Sequence, residues 1–242
     1  MSTLYLAYQD HKSRQWHTIG RLQHHANEYK FQYTNGVRAF SDFIPFSNFP
    51  EVHKTYVSQE LPPLFANRIM TKKRKSYDEF LSWAGLEKGQ ETELDILERT
   101  GGEKATDGLE VFPCPVPRNG QYTVYFFVRG IRYRDQAVQD EICTMETGEH
   151  LTLVPEHDNE FDPDVVLLLH TSSGTAIGYV PHYFARDFCQ LMQANGTNAK
   201  ARVVKINPNA PTQLRAFCKM TSPWPPGFAP CSGEDFQPYR HL

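Results

Sequence analysis

The sequence lacks the motifs by which most enzyme active sites and metal centres are recognised. It has no phosphate-binding glycine loop, no kinase catalytic-loop motif, no serine-hydrolase nucleophile elbow and no H-E-x-x-H zinc motif. Its five cysteines are irregularly spaced, and no two form a C-x-x-C pair. We therefore expect a non-catalytic protein with no cofactor, no metal site and no disulfide framework, in a reducing cytoplasm.

Long apolar runs and an excess of positive charge are missing as well. No stretch approaches the roughly 20 apolar residues that span a bilayer, so we expect no membrane partner. The net charge is −3, from 25 basic and 28 acidic residues. This balance argues against a protein that coats long DNA through many phosphate contacts, because that mode needs a strongly basic face. A small pocket for a few nucleotides remains compatible with it.

Proline, glycine and polar residues concentrate at one place near the middle of the 242-residue chain, in PCPVPRNGQ at 113–121. The length allows two small domains, each with its own core. We predict an α+β fold of two small domains, with residues 116–121 as the linker. The first domain covers 1–115, the second covers 122–221, and an extended tail covers 222–242.

Residues 1–115 show alternating and helical patterns in turn. Asn35-Gly36 predicts a turn after the third strand. Ser76 and Glu79 have the spacing of a capping box at a helix start. The predicted elements are strands at 3–8, 17–22 and 29–34, helices at 64–70 and from 76 to 85, and a helix, glycine turn and strand within 91–113.

Residues 122–221 read as a strand-rich domain with one long helix. The helix is predicted at 182–196, where Phe184, Phe188, Leu191 and Met192 share one face and Gly196 follows the last turn. The strands are predicted at 122–134, 150–156, 165–170, 175–181, 201–207 and 214–220.

Acidic residues cluster in EHDNEFDPD at 156–164, and two interpretations are open. The cluster of Glu156, Asp158, Asp162 and Asp164 is a solvated turn, or it is a divalent-metal nuclease site. A nuclease site normally needs a lysine or a second acidic cluster, and the sequence offers neither nearby.

Three segments of the second half occur in a characteristic order: VRGIRYRD at 128–135, PEHDNEFDPDVV at 155–166 and AIGYVPHYFA at 176–185. Together they resemble the HIRAN domain over about residues 122–221. The resemblance implies a compact β-barrel-like fold with helices that holds the 3′ end of single-stranded DNA.

The resemblance also implies a set of DNA-binding residues. The arginine–tyrosine pair would contact the terminal nucleotides, an aromatic ring would lie beside the bound end, and an aspartate would accept a hydrogen bond from the 3′ hydroxyl. These and two neighbouring pocket positions are, in chain order, Arg132, Tyr133, Asn159, Phe161, Asp162 and Tyr179. Structural alternatives stay open: Tyr133 and Phe161 as core aromatics, Arg132 paired with Asp162, and Asp162 as the start of a turn.

A second resemblance covers most of residues 1–115. It rests on IGRL at 19–22, an F-x-Y strand at 31–33, IPFSNFPE at 44–51 and LPPLFANRIM at 61–70. These segments resemble the N-terminal subdomain of HipA-type serine/threonine kinase toxins. Since no kinase body follows, the half is similar to the small antitoxin subunit of tripartite HipBST-type systems.

The two resemblances imply a regulatory, antitoxin-like bacterial protein of a HipA-type toxin or phage-defence system. Its partners would be single-stranded DNA, a HipA-like kinase and a helix-turn-helix HipB-like protein. Contacts with the kinase would come from Phe65, Lys73, Arg74 and Trp83, of which Lys73 and Arg74 belong to the basic run KKRK at 72–75. Two alternatives are open: Phe65 and Trp83 also fit a core, and the basic run also fits a solvated turn. The alternative function is a free-standing protein that binds single-stranded DNA ends in repair or processing.

Overall fold

A computed structural model gives the fold and describes residues 2–104, 106–159 and 164–240. The chain forms two compact units, each made of segments that are not consecutive in sequence. The first unit contains Met1–Tyr77, Gly89–Cys114 and Ala229–Leu242, and the second contains Asp78–Lys88 and Pro115–Phe228. A division at a single linker therefore does not describe the two short segments 78–88 and 229–242.

The first unit is built on an antiparallel sheet in the order β4-β3-β2-β1-β5. The three predicted strands and the predicted helix–glycine–strand segment are present. The elements up to residue 113 are β1 (Ser2–Gln9), β2 (Trp16–His25), β3 (Glu28–Tyr33), β4 (Tyr56–Ser58), α1 (Pro63–Ala66), α2 (Tyr77–Trp83), α3 (Glu93–Thr100) and β5 (Leu109–Pro113).

The core of the first unit consists of aliphatic residues of the sheet and a group of aromatic rings. Phe31 and Phe49 stack with ring centroids 4.1 Å apart, and Phe65 packs 5.8 Å from Phe31. The last segment of the chain also packs here, because the amide of Tyr239 donates to the Tyr33 carbonyl at 2.9 Å. The tail is therefore an integral part of the first unit.

Two local predictions in the first unit differ from the structure. The chain leaves β3 at Asn35-Gly36 as predicted, but these residues begin a 3₁₀ helix, Asn35–Ala39, and not a tight two-residue turn. A side chain at Gly36 would collide with the Thr18 carbonyl, so the glycine serves close backbone approach. The capping box lies at α3, where Thr92 and Asp95 cap each other, and the Ser76 hydroxyl instead lies 3.8 Å from the Met70 sulfur.

The second unit is built on an antiparallel sheet in the order β6-β11-β10-β7-β8-β9. The mixture of two antiparallel sheets with helices agrees with the predicted α+β class. Its elements are β6 (Gln121–Phe127), α4 (Gln136–Thr144), β7 (His150–Pro155), β8 (Val166–His170), β9 (Ala176–Tyr179), α5 (His182–Asn195), β10 (Lys200–Ile206) and β11 (Ala216–Pro223).

Alternate residues of these strands face a core that α5 covers. Tyr122, Val124 and Phe126 of β6 point inward and meet Phe184 and Phe188 of α5. The opposite face of β6 and β11 carries a smaller cluster, in which Phe127 and Phe217 pack beneath Ala84 of segment 78–88. Both faces of this edge of the sheet are thus covered by helix-containing segments.

The sequence missed two features of the second unit. The strand predicted at 122–134 ends at Phe127 and is followed by a 3₁₀ helix, Ile131–Tyr133. Helix α4 was not predicted, because Ile142 alone among its nine residues is buried and its apolar pattern is correspondingly weak. Among the described residues, no helix is long and apolar enough to cross a membrane.

Candidate nucleic-acid interface

The segment that follows β6 joins the two edge strands of the second sheet. Arg129 and Tyr179 exchange two backbone hydrogen bonds of 2.8 Å each, so the chain after β6 pairs with the end of β9. The sheet therefore curls until its first and last strands meet. At this junction the sequence places the arginine-rich segment 129–134 beside Tyr179.

Two glycines allow this close approach. A side chain at Gly178 would collide with the Arg129 carbonyl and would lie 2.5 Å from Val128 Cγ1. Gly130 has a φ of 80°, which is accessible to glycine at little cost, and a Cβ there would lie 3.4 Å from the Tyr179 ring. The glycines in VRGIRYR and AIGYVP thus let the two segments touch, although they are 48 positions apart in sequence.

Arg132 and Tyr133 project from the short 3₁₀ helix that Ile131 anchors in the core. The Tyr133 side chain is 74% exposed, which decides against a role as a core aromatic. The Arg132 guanidinium lies 4.6 Å from the centre of the Tyr133 ring, and its Nη2 donates to the Tyr133 hydroxyl at 2.5 Å. The two side chains therefore present a cation and an open aromatic ring at the same exposed place.

Arg134 is a site residue that sequence reasoning missed. Its guanidinium lies 5.1 Å from the centre of the Tyr179 ring. Its Nε and Nη2 atoms are buried and have no hydrogen-bond acceptor among the described residues. Two buried donors without an acceptor are unfavourable, so this position is suited to an anionic ligand group. The signal in the sequence was the alternation Arg132-Tyr133-Arg134, which places a second arginine beside the expected pair.

His182 lies at the start of α5, directly after the IGYVP segment. Burial, and then the charge of Arg129, lower the pKa of His182 well below its ordinary value. The imidazole is therefore neutral at neutral pH and adds no positive charge to the arginine-rich segment 129–134.

The acidic turn contributes only partly to the described site. The Asn159 side chain donates to Glu156 Oε2 at 3.4 Å, within its own turn. Phe161 and Asp162 lie outside the described residues, so the expected hydroxyl acceptor and its neighbouring ring stay predictions. Among the residues that the structure describes, no three His, Cys, Asp or Glu side chains are grouped closely enough to hold a metal ion.

The predicted kinase-contact residues fall in quite different environments. Phe65 has no exposed surface and packs in the core of the first unit, so its ring cannot reach a partner. Lys73 and Arg74 are exposed in the loop before α2. Trp83 is half-buried, and its carbonyl accepts a hydrogen bond from the Asn207 side chain at 3.1 Å. Of these residues, Lys73, Arg74 and part of Trp83 are available at the surface.

Comparisons with known proteins bear on a large part of the second unit. Residues 121–222 match the family model of the HIRAN domain. The resemblance predicted from the sequence for about residues 122–221 is thus confirmed. The first half has no corresponding confirmation of its HipA-like resemblance.

Two solved structures are similar to part of the chain. A protein from Lactobacillus plantarum is 17% identical, covers 43% of this chain and 99% of its own, and has a TM-score of 0.32. The HIRAN domain of human HLTF is 16% identical, covers 43% of this chain and 80% of its own, and also has a TM-score of 0.32. No match was found among curated proteins.

Proposed function

We propose that the second unit binds the 3′ end of single-stranded DNA and that the chain is a non-catalytic regulatory protein. The observation that carries the first part is the exposed Arg132–Tyr133 pair, located within the segment that matches the HIRAN domain. The Tyr133 ring is 74% exposed and lies beside a guanidinium, so its face is open to stacking on a base while the cation can reach a phosphate. The pair thus has the form of a binding surface.

Arg132, Tyr133, Arg134 and Tyr179 form one surface, which we call the end-binding corner. Its chemistry suits a nucleotide. An arginine fork donates to phosphate oxygens in a bidentate manner. An open tyrosine ring stacks on any base, which contributes about 1–3 kcal/mol per base. Arg134, held over Tyr179, offers buried donors for a second phosphate. In this proposal Arg132 and Arg134 hold the backbone while Tyr133 stacks on a terminal base.

Preference for an end is assigned to Asp162 by the HIRAN resemblance. A carboxylate accepts a hydrogen bond from a free 3′ hydroxyl but repels a phosphate in the same place. A continuing strand carries a phosphate there, whereas an end carries the hydroxyl. Asp162 would therefore select ends over internal positions.

Fluorescence anisotropy with short labelled single strands tests this function. We expect strands with a 3′ hydroxyl to bind at least about 10-fold more tightly than strands with a 3′ phosphate. Arg132→Ala should weaken binding by a similar factor, whereas Arg118→Ala, at an exposed arginine of the same unit, should not. Equal affinity for both ends would overturn the role of Asp162, and unchanged binding by Arg132→Ala would overturn the pocket.

The regulatory part of the proposal rests on the HipA-like resemblance of residues 1–115. The first unit would bind a HipA-like kinase toxin, in a system that can include a HipB-like helix-turn-helix protein. Lys73 and Arg74, exposed in a basic loop, support such a contact because they offer charge to an acidic partner surface. DNA-end binding would then regulate the partner.

A pull-down from the native host tests this part. We expect a kinase to co-purify with the wild-type chain and to be lost from a Lys73→Glu/Arg74→Glu variant. A Lys12→Glu variant, altered at an exposed lysine of another loop, should retain it. Recovery of single-stranded DNA without any kinase would instead support the free-standing end-binding protein as the function.

A further inference from the structure

The outer face of the second sheet carries a row of cations that the end-binding corner does not use. Lys219 on β11 is directly opposite Arg202 on β10, and Arg202 is directly opposite His150 on β7. At the other end of the row, Lys219 is opposite Tyr125 on β6, with its ammonium 5.3 Å from the ring centre. We call Tyr125, Lys219, Arg202 and His150 the cationic row.

The direction of these side chains follows from the burial of their neighbours. Ala201 and Val203 flank Arg202 and lie in the core, so Arg202 points away from it. The same alternation places Lys219 between the core residues Cys218 and Met220. Arg202 and His150 are exposed, and Lys200, two residues before Arg202 on the same face, is exposed as well.

The strands that carry the cationic row contain no compensating charge. Strands β6, β7, β10 and β11 have no aspartate or glutamate anywhere in their sequences, although the chain as a whole carries a charge of −3. Within the described parts of the chain, no carboxylate forms an ion pair with Lys200, Arg202 or Lys219. The row is therefore a local concentration of positive charge on an acidic protein.

This arrangement is unfavourable for folding. Like charges that are directly opposite on neighbouring strands destabilise a sheet, whereas an opposite-charge pair at the same place stabilises it. The direct opposition of Arg202 and Lys219 thus lowers the stability of β10 and β11 in the free protein. A bound polyanion would remove this repulsion.

We infer that the cationic row is a second nucleic-acid contact, which binds the sugar–phosphate backbone of a single strand. The row crosses four strands, which at about 4.8 Å per strand spacing makes it roughly 14 Å long. Segment 78–88 covers Phe127 and Phe217 at one end of this face, but Arg202, His150 and Lys200 are exposed beyond it, and their charge matches that of a chain of phosphates. The identity of the partner rests on the proposed function, but the surface shares no residue with the end-binding corner.

Binding at the cationic row and binding at the end-binding corner should respond to different properties of the strand and the solution. Contacts with the backbone depend on salt and strand length and are indifferent to the 3′ terminus. Contacts at the corner depend on the 3′ hydroxyl. For single strands the slope of log K against log salt is about −0.7 per phosphate neutralised, so removal of two cations should reduce it by roughly 1.4.

The experiment is anisotropy of the full chain with a labelled oligothymidylate of about 20 nucleotides, over a series of NaCl concentrations. Arg202→Gln/Lys219→Gln should bind about 10-fold more weakly at low salt, with the smaller slope, and should keep the preference for a 3′ hydroxyl. The control Lys12→Gln/Arg118→Gln removes the same charge at other exposed positions and should bind as the wild type does. An unchanged slope in the first variant would overturn the inference, whether or not the 3′ preference exists.

Arg202→Glu separates binding from folding. A glutamate opposite Lys219 forms a favourable cross-strand pair, so the melting temperature should stay the same or rise while oligothymidylate affinity falls. A fall in both would show that Arg202 has a structural role and would overturn the inference. Competition by polyglutamate as effective as that by unlabelled oligothymidylate would overturn nucleic acid as the partner.

Discussion

The imidazole of His170 is held against the carboxylate of Glu141, with Nδ1 2.8 Å from Oε1. Glu141 belongs to α4, whereas His170 ends β8, so the pair fastens this helix to the β8–β9 hairpin. The hydroxyls of Ser173 and Thr175, in the hairpin turn, also donate to Glu141. One carboxylate thus orders the turn that leads into the IGYVP segment of the candidate site.

Loss of the Glu141 charge should weaken the second unit. The hydrogen bonds from His170, Ser173 and Thr175 lower the pKa of Glu141 from 4.5 to about 2. Its contribution is therefore complete above pH 4.5 and is lost as the pH falls through about 2. We expect Glu141→Gln to lower the free energy of unfolding by about 1 kcal/mol at pH 7, measured by urea denaturation. Glu146→Gln, at an exposed position just after α4, should have no effect, and equal effects would contradict the prediction.

Asp187 should make stability depend on pH in the opposite direction. Burial raises the pKa of Asp187 from 3.8 to about 7, against the hydrogen bond that Tyr122 donates to it. Because the folded state prefers the protonated carboxyl, stability should fall as the pH rises from about 4 to about 7 and then level off. Asp187→Asn, which keeps an acceptor for Tyr122, should be more stable than the wild type at pH 8. Melting curves of both proteins over this range check it, and parallel curves would refute it.

The junction of β6 with β9 should depend on Gly178. A Cβ there would collide with the Arg129 carbonyl, so Gly178→Ala must separate the two segments. We expect a loss of about 1–3 kcal/mol in stability and weaker binding of single strands with a 3′ hydroxyl. A Cβ at Gly174, in the same hairpin, would meet no atom within 4 Å. Gly174→Ala should therefore lower stability only by the strain of its positive φ, about 1 kcal/mol, and should not weaken binding. Normal DNA binding by Gly178→Ala would show that the corner does not need this junction.

The apolar cluster that segment 78–88 covers should stabilise the second unit. The segment covers Phe127 and Phe217, whose ring centroids are 4.9 Å apart on the outer face of the sheet. Phe217→Ala should therefore cost about 3–4 kcal/mol in urea denaturation, as expected for a large buried ring. Val57→Ala, at a side chain that is 55% exposed, should change stability by less than about 0.5 kcal/mol. A small loss for Phe217→Ala would mean that the outer cluster is dispensable.

Much of the fold could be predicted because local patterns carry it. Residue types typical of strands marked β1 and β2, alternation of aromatic and polar residues marked β3, and helical spacing with a terminal glycine marked α5. Predictions of caps and turns were weaker, because Ser76 and Asn35-Gly36 have the right residue types in other tertiary contexts. In each of these cases a nearby segment, and not the local sequence, determined the conformation.

The candidate site was predicted only in part, because a local motif marks some of its residues and tertiary packing decides the others. The Arg132–Tyr133 pair was found from its motif, and its exposure agrees with a binding role. Arg134 was missed, because only the tertiary structure shows that it packs over Tyr179 with two buried donors that have no acceptor among the described residues. For Phe65 the sequence allowed a partner contact or a core position, and its burial beside Phe31 decides for the core.

By itself the sequence determined the class of fold, most of the strands, helix α5 and the HIRAN segment, since each follows from residues that are close together in the chain. The composition added that the chain has no excess of positive charge. Only the tertiary structure decided which distant residues meet. It joined Arg129 to Tyr179, placed Arg202 opposite Lys219 and assigned segments 78–88 and 229–242 to their units. The physical reason is that strand register and core packing are set by contacts between distant segments, which no local pattern encodes.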